Sequence, residues 1–228
     1  MPQYNSYKPS YGKRSNKKYK KKQLIKFLLL IAAILSFVAG YLLLSTKETQ
    51  SGETTTPVTK TIPITVEKPI IQTKLLEPNP YSRPQTPLTK VNGVVIHYVG
   101  NPGTTAEANR NYFNTLAKKK STYASSHFII DLSGTIIQCI PLNEISYASN
   151  NRNEDTISIE VCHPDETGKF TDESYKSLVA LTKWLCLSYD LDINDVIRHY
   201  DVTGKQCPLY YVTHEDAWLS FKNEVFSK

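Results

Sequence analysis

Apolar and polar positions divide this chain into three stretches. Phe27 to Leu44 runs 18 residues without a charge. Residues 45–85 carry Thr, Pro, Glu and Lys in no strand or helix period, with Thr54-Thr55-Thr56-Pro57 and Glu77-Pro78-Asn79-Pro80 as typical pieces. Proline removes backbone donors and excludes a regular helix, so this segment reads as a linker. From residue 86 the pattern becomes globular and runs to residue 228. Gly93 to Val99 is apolar enough for a buried strand. Thr104 and Glu107 form a capping-box start for a helix to about Lys118. His127–Ile130 and Thr135–Ile140 read as strands joined by the turn Asp131-Leu132-Ser133-Gly134. Thr156–Val161 is another strand. Thr171 caps a helix to about Tyr189, with Tyr175, Leu178, Val179, Leu181, Leu185 and Cys186 near helical spacing. Val196–Arg198 is a short strand and Glu215–Phe226 a closing helix. Strands alternating with helices predict an α/β domain with a central mixed β-sheet flanked by helices.

Charge separates the same stretches. Residues 1–26 hold nine Lys/Arg and no acid, whereas the rest of the chain holds 18 Lys/Arg against 21 Asp/Glu. The overall net charge of +6 therefore belongs to the tail, and no nucleic-acid partner is expected of the folded part. The tail has no hydrophobic period and reads as disordered. As a helix, residues 27–44 would span roughly 27 Å, close to the roughly 30 Å core of a bilayer. Nine cations precede it and Lys47 alone follows closely, so the N-terminus is expected on the cytoplasmic side and the domain outside. The alternative is secretion after cleavage of a signal peptide. Such peptides have shorter apolar regions and a small-residue exit, whereas this run leaves through Tyr41-Leu42-Leu43-Leu44. A flexible linker of about 40 residues would then hold the domain roughly 35 Å from its single-pass membrane anchor.

The four cysteines have irregular spacings and no Cys-x-x-Cys pair, which is not a disulfide framework. Cys139, Cys162 and Cys186 sit in apolar runs and read as small buried hydrophobes. Cys207 lies in Gly204-Lys205-Gln206-Cys207-Pro208, eight residues after His199, which ends a strand as His97 does. Two His and one Cys form a set that zinc accepts at catalytic sites with a fourth position open. Taken singly, His97 on its Val-Val-Ile strand reads more readily as a satisfied core histidine than as a ligand.

Several segments carry a family resemblance together: Val94-Val95-Ile96-His97-Tyr98, Ser126-His127-Phe128-Ile129-Ile130-Asp131 with Gly134 and Ile137-Gln138, Ile157-Ser158-Ile159-Glu160, Arg198-His199-Tyr200-Asp201, and Gly204 to Pro208. From about Asn79 to Tyr211 the chain resembles the zinc-dependent N-acetylmuramoyl-L-alanine amidases of the type 2 family, which includes peptidoglycan recognition proteins and phage amidases. The resemblance implies Zn2+ on His97, His199 and Cys207, with Lys205 facing the carbonyl oxygen as charge develops and Glu160 accepting a proton from water. It implies peptidoglycan as partner, and hydrolysis of the bond between N-acetylmuramic acid and the L-alanine of the stem peptide. The alternative is a module that binds peptidoglycan without cutting it. Members that only bind commonly lack the cysteine ligand, which this chain has. One position departs from the pattern. Some relatives carry a catalytic Tyr where this chain has Ser126, and Tyr123 is three residues away, so that role is not carried over. His127 matches a non-ligand position and reads as structural, and His163 and His214 read as surface residues.

Overall fold

A computed structural model describes residues 67–227. The basic tail, the apolar segment 27–44 and the linker up to residue 66 lie outside the described residues. No helix among the described residues is long and apolar enough to cross a membrane.

Among the described residues six strands form one sheet: β1 (Ile71–Thr73), β2 (Val94–Tyr98), β3 (Phe128–Ile130), β4 (Ile136–Gln138), β5 (Ile157–Val161) and β6 (Val196–Arg198), in the order β1-β4-β3-β5-β2-β6. Only the β3–β4 pair is antiparallel, as its short turn requires. The helices are α1 (Ala106–Lys119), α2 (Asp172–Tyr189), α3 (His199–Thr203), α4 (Leu209–Thr213) and α5 (Glu215–Val225). The expected α/β architecture with a mixed sheet is therefore what the chain forms.

Strand period decides which side chains meet which layer. Val94 and Ile96 of β2 and Ile157, Ile159 and Val161 of β5 pack on one face with Leu178, Leu181 and Leu185 of α2 and Phe221 of α5. Ile129 of β3 and Ile137 of β4 point to the opposite face, where Ala106, Phe113 and Leu116 of α1 cover them with Cys139 and Cys162. Fully burying each such aliphatic side chain is worth about 1.5–3 kcal/mol. α1 packs on β3 and β4. On that face His97 of β2 is in register with Glu160 of β5, and both line an open cleft.

Three local expectations shift. The sequence pattern extends the linker to residue 85, but Ile71–Thr73 pairs with Ile136–Gln138 and Leu76 is buried with the α1 cluster. Proline-rich flanks conceal so short a strand, whose pairing comes from tertiary contact rather than local period. α1 is capped by Thr105, which accepts from the Ala108 N–H, whereas Thr104 donates to the Asn101 carbonyl. α3 and α4, each a turn and a half, escape the sequence pattern because five residues carry too little periodicity to register. Thr171 caps α2 as expected, accepting from the Ser174 N–H. All four cysteines are free and buried.

Candidate metal centre and active site

His97 stands next to the C-terminal end of the interior strand β2, and His199 opens α3 directly after β6. Parallel pairing of β2 with β6 brings the two strand ends side by side, and the imidazole centroids are 4.7 Å apart. Cys207 returns to them because its own loop is tied down. The Tyr200 N–H donates to the Cys207 carbonyl at 2.9 Å, and Gly204 closes α3 in the left-handed conformation at φ 78°. Arg198 holds this loop from beneath, with its guanidinium on Asp201, Glu215 and the Tyr211 carbonyl. The ligand atoms of His97, His199 and Cys207 all lie within 4.8 Å of one another, and Cys207 Sγ is 3.8 Å from His97 Nδ1.

The outer nitrogens of the two rings are engaged by one loop. His97 Nε2 is 3.1 Å from Ser149 Oγ, and His199 Nε2 is 3.0 Å from Asn150 Oδ1. An Asn oxygen only accepts, so the His199 proton sits on Nε2 and leaves the Nδ1 lone pair open. That Nδ1 is buried and has no partner. The loop is fixed by Asn153, whose Oδ1 accepts the N–H groups of Ala148 and Ser149, and by Asn150 at φ 53°, a conformation Asn tolerates. Sequence reasoning misses Ser149, Asn150 and Asn153. The polar run Ser149 to Asn153 between two apolar segments is the available signal.

Burial drives the imidazole of His97 well below its ordinary pKa, with His199 and Lys205 adding to the effect. Burial and then Lys205 lower His199 as well. Both rings are therefore neutral near pH 7, with lone pairs for a cation. The Cys207 thiol is pushed up to about 12 by burial, with Glu160 adding to it against the Tyr98 N–H and Lys205. A buried thiolate there calls for a positive partner. The orphaned His199 Nδ1, neutral imidazoles and a thiol in need of a cation are together what a metal ion would satisfy.

Glu160 lines the same cleft, which has a volume of about 390 Å³. Burial raises its carboxyl to about 8 against the pull of Lys205, and its Oε2 has no hydrogen-bond partner. Lys205 is exposed and lines the cleft from the ligand loop. All five residues singled out from the sequence thus meet in one cleft. Ser126 is buried with its hydroxyl donated to the Phe128 carbonyl, so it offers the cleft nothing. Tyr123 and Tyr147 form part of the wall instead.

The remaining histidines have separate duties. His127 accepts the Ser158 N–H at Nδ1 and faces the Glu144 carbonyl with Nε2, tying β3 and β5 to the segment that leads to Ser149. Burial lowers its pKa to about 4, which keeps it neutral. His163 is not the surface residue expected. It is buried between the carbonyls of Val99 and Asp165, 2.6 Å from each. Polar neighbours in sequence hide it, because its burial comes from the ends of β2 and β5 meeting around it. His214 is exposed, as expected.

Replacing Ser149 with Ala is expected to weaken metal binding by roughly 10–100-fold while leaving the fold intact, because the ligand survives and only its orientation is lost. Competition with a chelating dye measures this, and unchanged affinity would remove Ser149 from the site.

Residues 87–209 match the family described as N-acetylmuramoyl-L-alanine amidase, and the chain belongs to that family. It is 33% identical over 171 residues to the N-acetylmuramoyl-L-alanine amidase BlyA of Bacillus subtilis (strain 168), covering 66% of this chain and 45% of BlyA. It is 33% identical over 162 residues to the amidase CwlL of Bacillus licheniformis, covering 65% of this chain and 44% of CwlL. The chain therefore spans less than half the length of these curated relatives. Among solved structures, PlyL superposes with a TM-score of 0.60 at 27% identity, over 69% of this chain and 98% of PlyL. The catalytic domain of XlyA superposes with a TM-score of 0.57 at 25% identity, over 68% of this chain and 99% of that domain.

Proposed function

We propose that this chain is a zinc-dependent N-acetylmuramoyl-L-alanine amidase that hydrolyses the amide between the lactyl group of N-acetylmuramic acid and the L-alanine of the stem peptide. One observation carries this reading: His97, His199 and Cys207 converge with an open lone pair at His199 Nδ1, and Glu160 stands in the same cleft. The names of the curated relatives support the choice of bond.

Two imidazoles and one thiolate suit zinc among the common divalent ions. A Zn–S and a Zn–N bond together reach about 4.3 Å, and the 3.8 Å between Cys207 Sγ and His97 Nδ1 falls inside that reach. Zinc bound there would polarise the scissile carbonyl and lower the pKa of water towards about 7. The protein supplies the rest. Glu160 lies one strand from His97 and takes the proton of the attacking water, then returns it to the leaving amine of L-alanine. Its burial suits that exchange, since a base poised near neutrality can both accept and give back a proton. Lys205 places an ammonium where the carbonyl oxygen gains negative charge. Asn150 holds His199 in the tautomer whose Nδ1 lone pair is open, and Ser149 holds the ring of His97 in place.

We also propose that the domain acts outside the cell on a single-pass anchor at residues 27–44, with the N-terminus cytoplasmic. The support is the 18-residue uncharged run and the nine cations before it.

The reaction class is tested by the new ends left in digested wall. An amidase frees an amine on L-alanine and leaves a lactyl carboxylate. A glycosidase leaves reducing sugars, and their appearance would exclude this proposal.

A further inference from the structure

A second groove, of about 510 Å³, lies against the metal cleft and shares Tyr123 and Tyr147 with it. Its other wall is the segment Pro78–Gln85, which precedes the part of the chain that matches the family. The two depressions are thus halves of one surface, parted by a pair of tyrosine rings 5.5 Å apart at their centroids. A polymer with its reacting bond over His97 and Glu160 would pass across these rings into the second groove.

The wall is built before any ligand arrives. Asn79 Oδ1 accepts the N–H groups of Tyr81 and Ser82, and its Nδ2 donates to Ser82 Oγ and the Glu77 carbonyl. Arg83 makes two 2.8 Å bonds to the Glu144 carboxylate and a third to the Leu76 carbonyl. The Ala124 N–H donates to the Tyr81 carbonyl, and Tyr81 stacks on Tyr123 at 5.1 Å. Tyr123 itself is 60% exposed, so its ring is presented rather than packed away.

The chemistry of the lining decides between the two halves of the substrate. Pro78, Pro80, Pro84 and the two tyrosines offer flat apolar faces, and Gln85 is exposed at φ 60° with an amide to offer. Arg83 is the one charged residue of the lining, and Glu144 neutralises it. A stem peptide carries carboxylates and an amine and calls for charged partners. A glycan is neutral, has C–H faces that stack on aromatic rings, and has N-acetyl groups that bond to amides. The metal cleft, by contrast, bears the exposed ammonium of Lys205.

We propose that the groove between Pro78–Gln85 and the Tyr123–Tyr147 wall is a glycan subsite, which holds the saccharide chain beyond the muramoyl residue while the stem peptide lies on the Lys205 side. This rests on the amidase reading above. The subsite makes the enzyme one that grips strands of several sugars, with Tyr123 and Gln85 as its specificity-determining residues.

The test is isothermal titration of the full-length chain, held in mild detergent, with a peptide-free N-acetylglucosamine tetramer and separately with a free stem tetrapeptide. Tyr123→Ala is expected to weaken tetramer binding by about fivefold or more. Tyr123→Phe keeps the ring and the affinity, and Gln85→Ala weakens the tetramer to a smaller extent. Affinity for the tetrapeptide stays at the wild-type value in Gln85→Ala, and in Tyr123→Ala, whose ring also borders the metal cleft, it falls by less than that for the tetramer. The proposal is overturned if the wild-type chain does not bind the tetramer, if Tyr123→Ala binds it as wild type does, or if the tetrapeptide is the ligand that these variants lose. Tetramer binding through Tyr123 in a chain that releases no stem peptide from wall would keep the subsite and reject the amidase.

Discussion

Cys207→Ser is expected to lose metal and hydrolysis together. The thiol is one of three converging ligand atoms, and its loop is fixed by backbone bonds and Arg198, so no neighbouring sulfur can take its place. The other three cysteines are buried in the two cores, away from the cleft. A serine hydroxyl is a poorer zinc ligand than a thiolate, and the fall in affinity should exceed the roughly 10–100-fold given by loss of an orienting partner. Metal analysis after dialysis and a wall-digestion assay on the same sample read both effects. The Ser149→Ala chain is the control, with weakened metal binding that excess zinc restores. A Cys207→Ser chain that is free of zinc yet fully active would remove the metal from the account.

Glu160→Gln is expected to lower kcat by about 10²–10⁴-fold, the usual contribution of a positioned acid–base group. Metal content should be unchanged, since Glu160 is not in the ligand set. The same substitution should stabilise the metal-free fold. Burial raises the Glu160 carboxyl to about 8 from an ordinary 4.5, so between those values the folded chain binds more protons than the unfolded one. Stability is therefore lost as pH rises from about 4.5 to about 8. The amide of the Glu160→Gln chain has no such titration, so its advantage vanishes below the window and is greatest above it. Thermal melting of both metal-free chains at pH 4 and pH 9 checks the sign. A Glu160→Gln chain that melts lower than wild type at pH 9 would mean that Glu160 supports the fold. Its place in the cleft would then need another explanation.

The sheet and its principal helices are legible in the sequence because their signals are local. Val94 to Ile96 is a continuous apolar run because that part of an interior strand is covered on both faces, and Thr171 announces α2 with a side chain of the capping type. The proposed ligand set is legible through the family resemblance and through residue type, since His97 lies near the end of β2 and His199 directly follows β6, two strands that the fold sets side by side. What stays hidden depends on contacts between distant segments. Ser149 and Asn150 act only because their loop crosses both imidazoles. Ile71–Thr73 is a strand only because β4 offers it an edge. His163 looks like a loop residue until the carbonyls of Val99 and Asp165 close on it.

The most direct test of the central claim is mass spectrometry of the ends released when the full-length chain digests purified peptidoglycan, with and without a chelator. The account predicts stem peptides that begin with a free L-alanine amine, lost with chelator and recovered with zinc. Tight binding to the wall with no new ends, or release that a chelator leaves untouched, would contradict it.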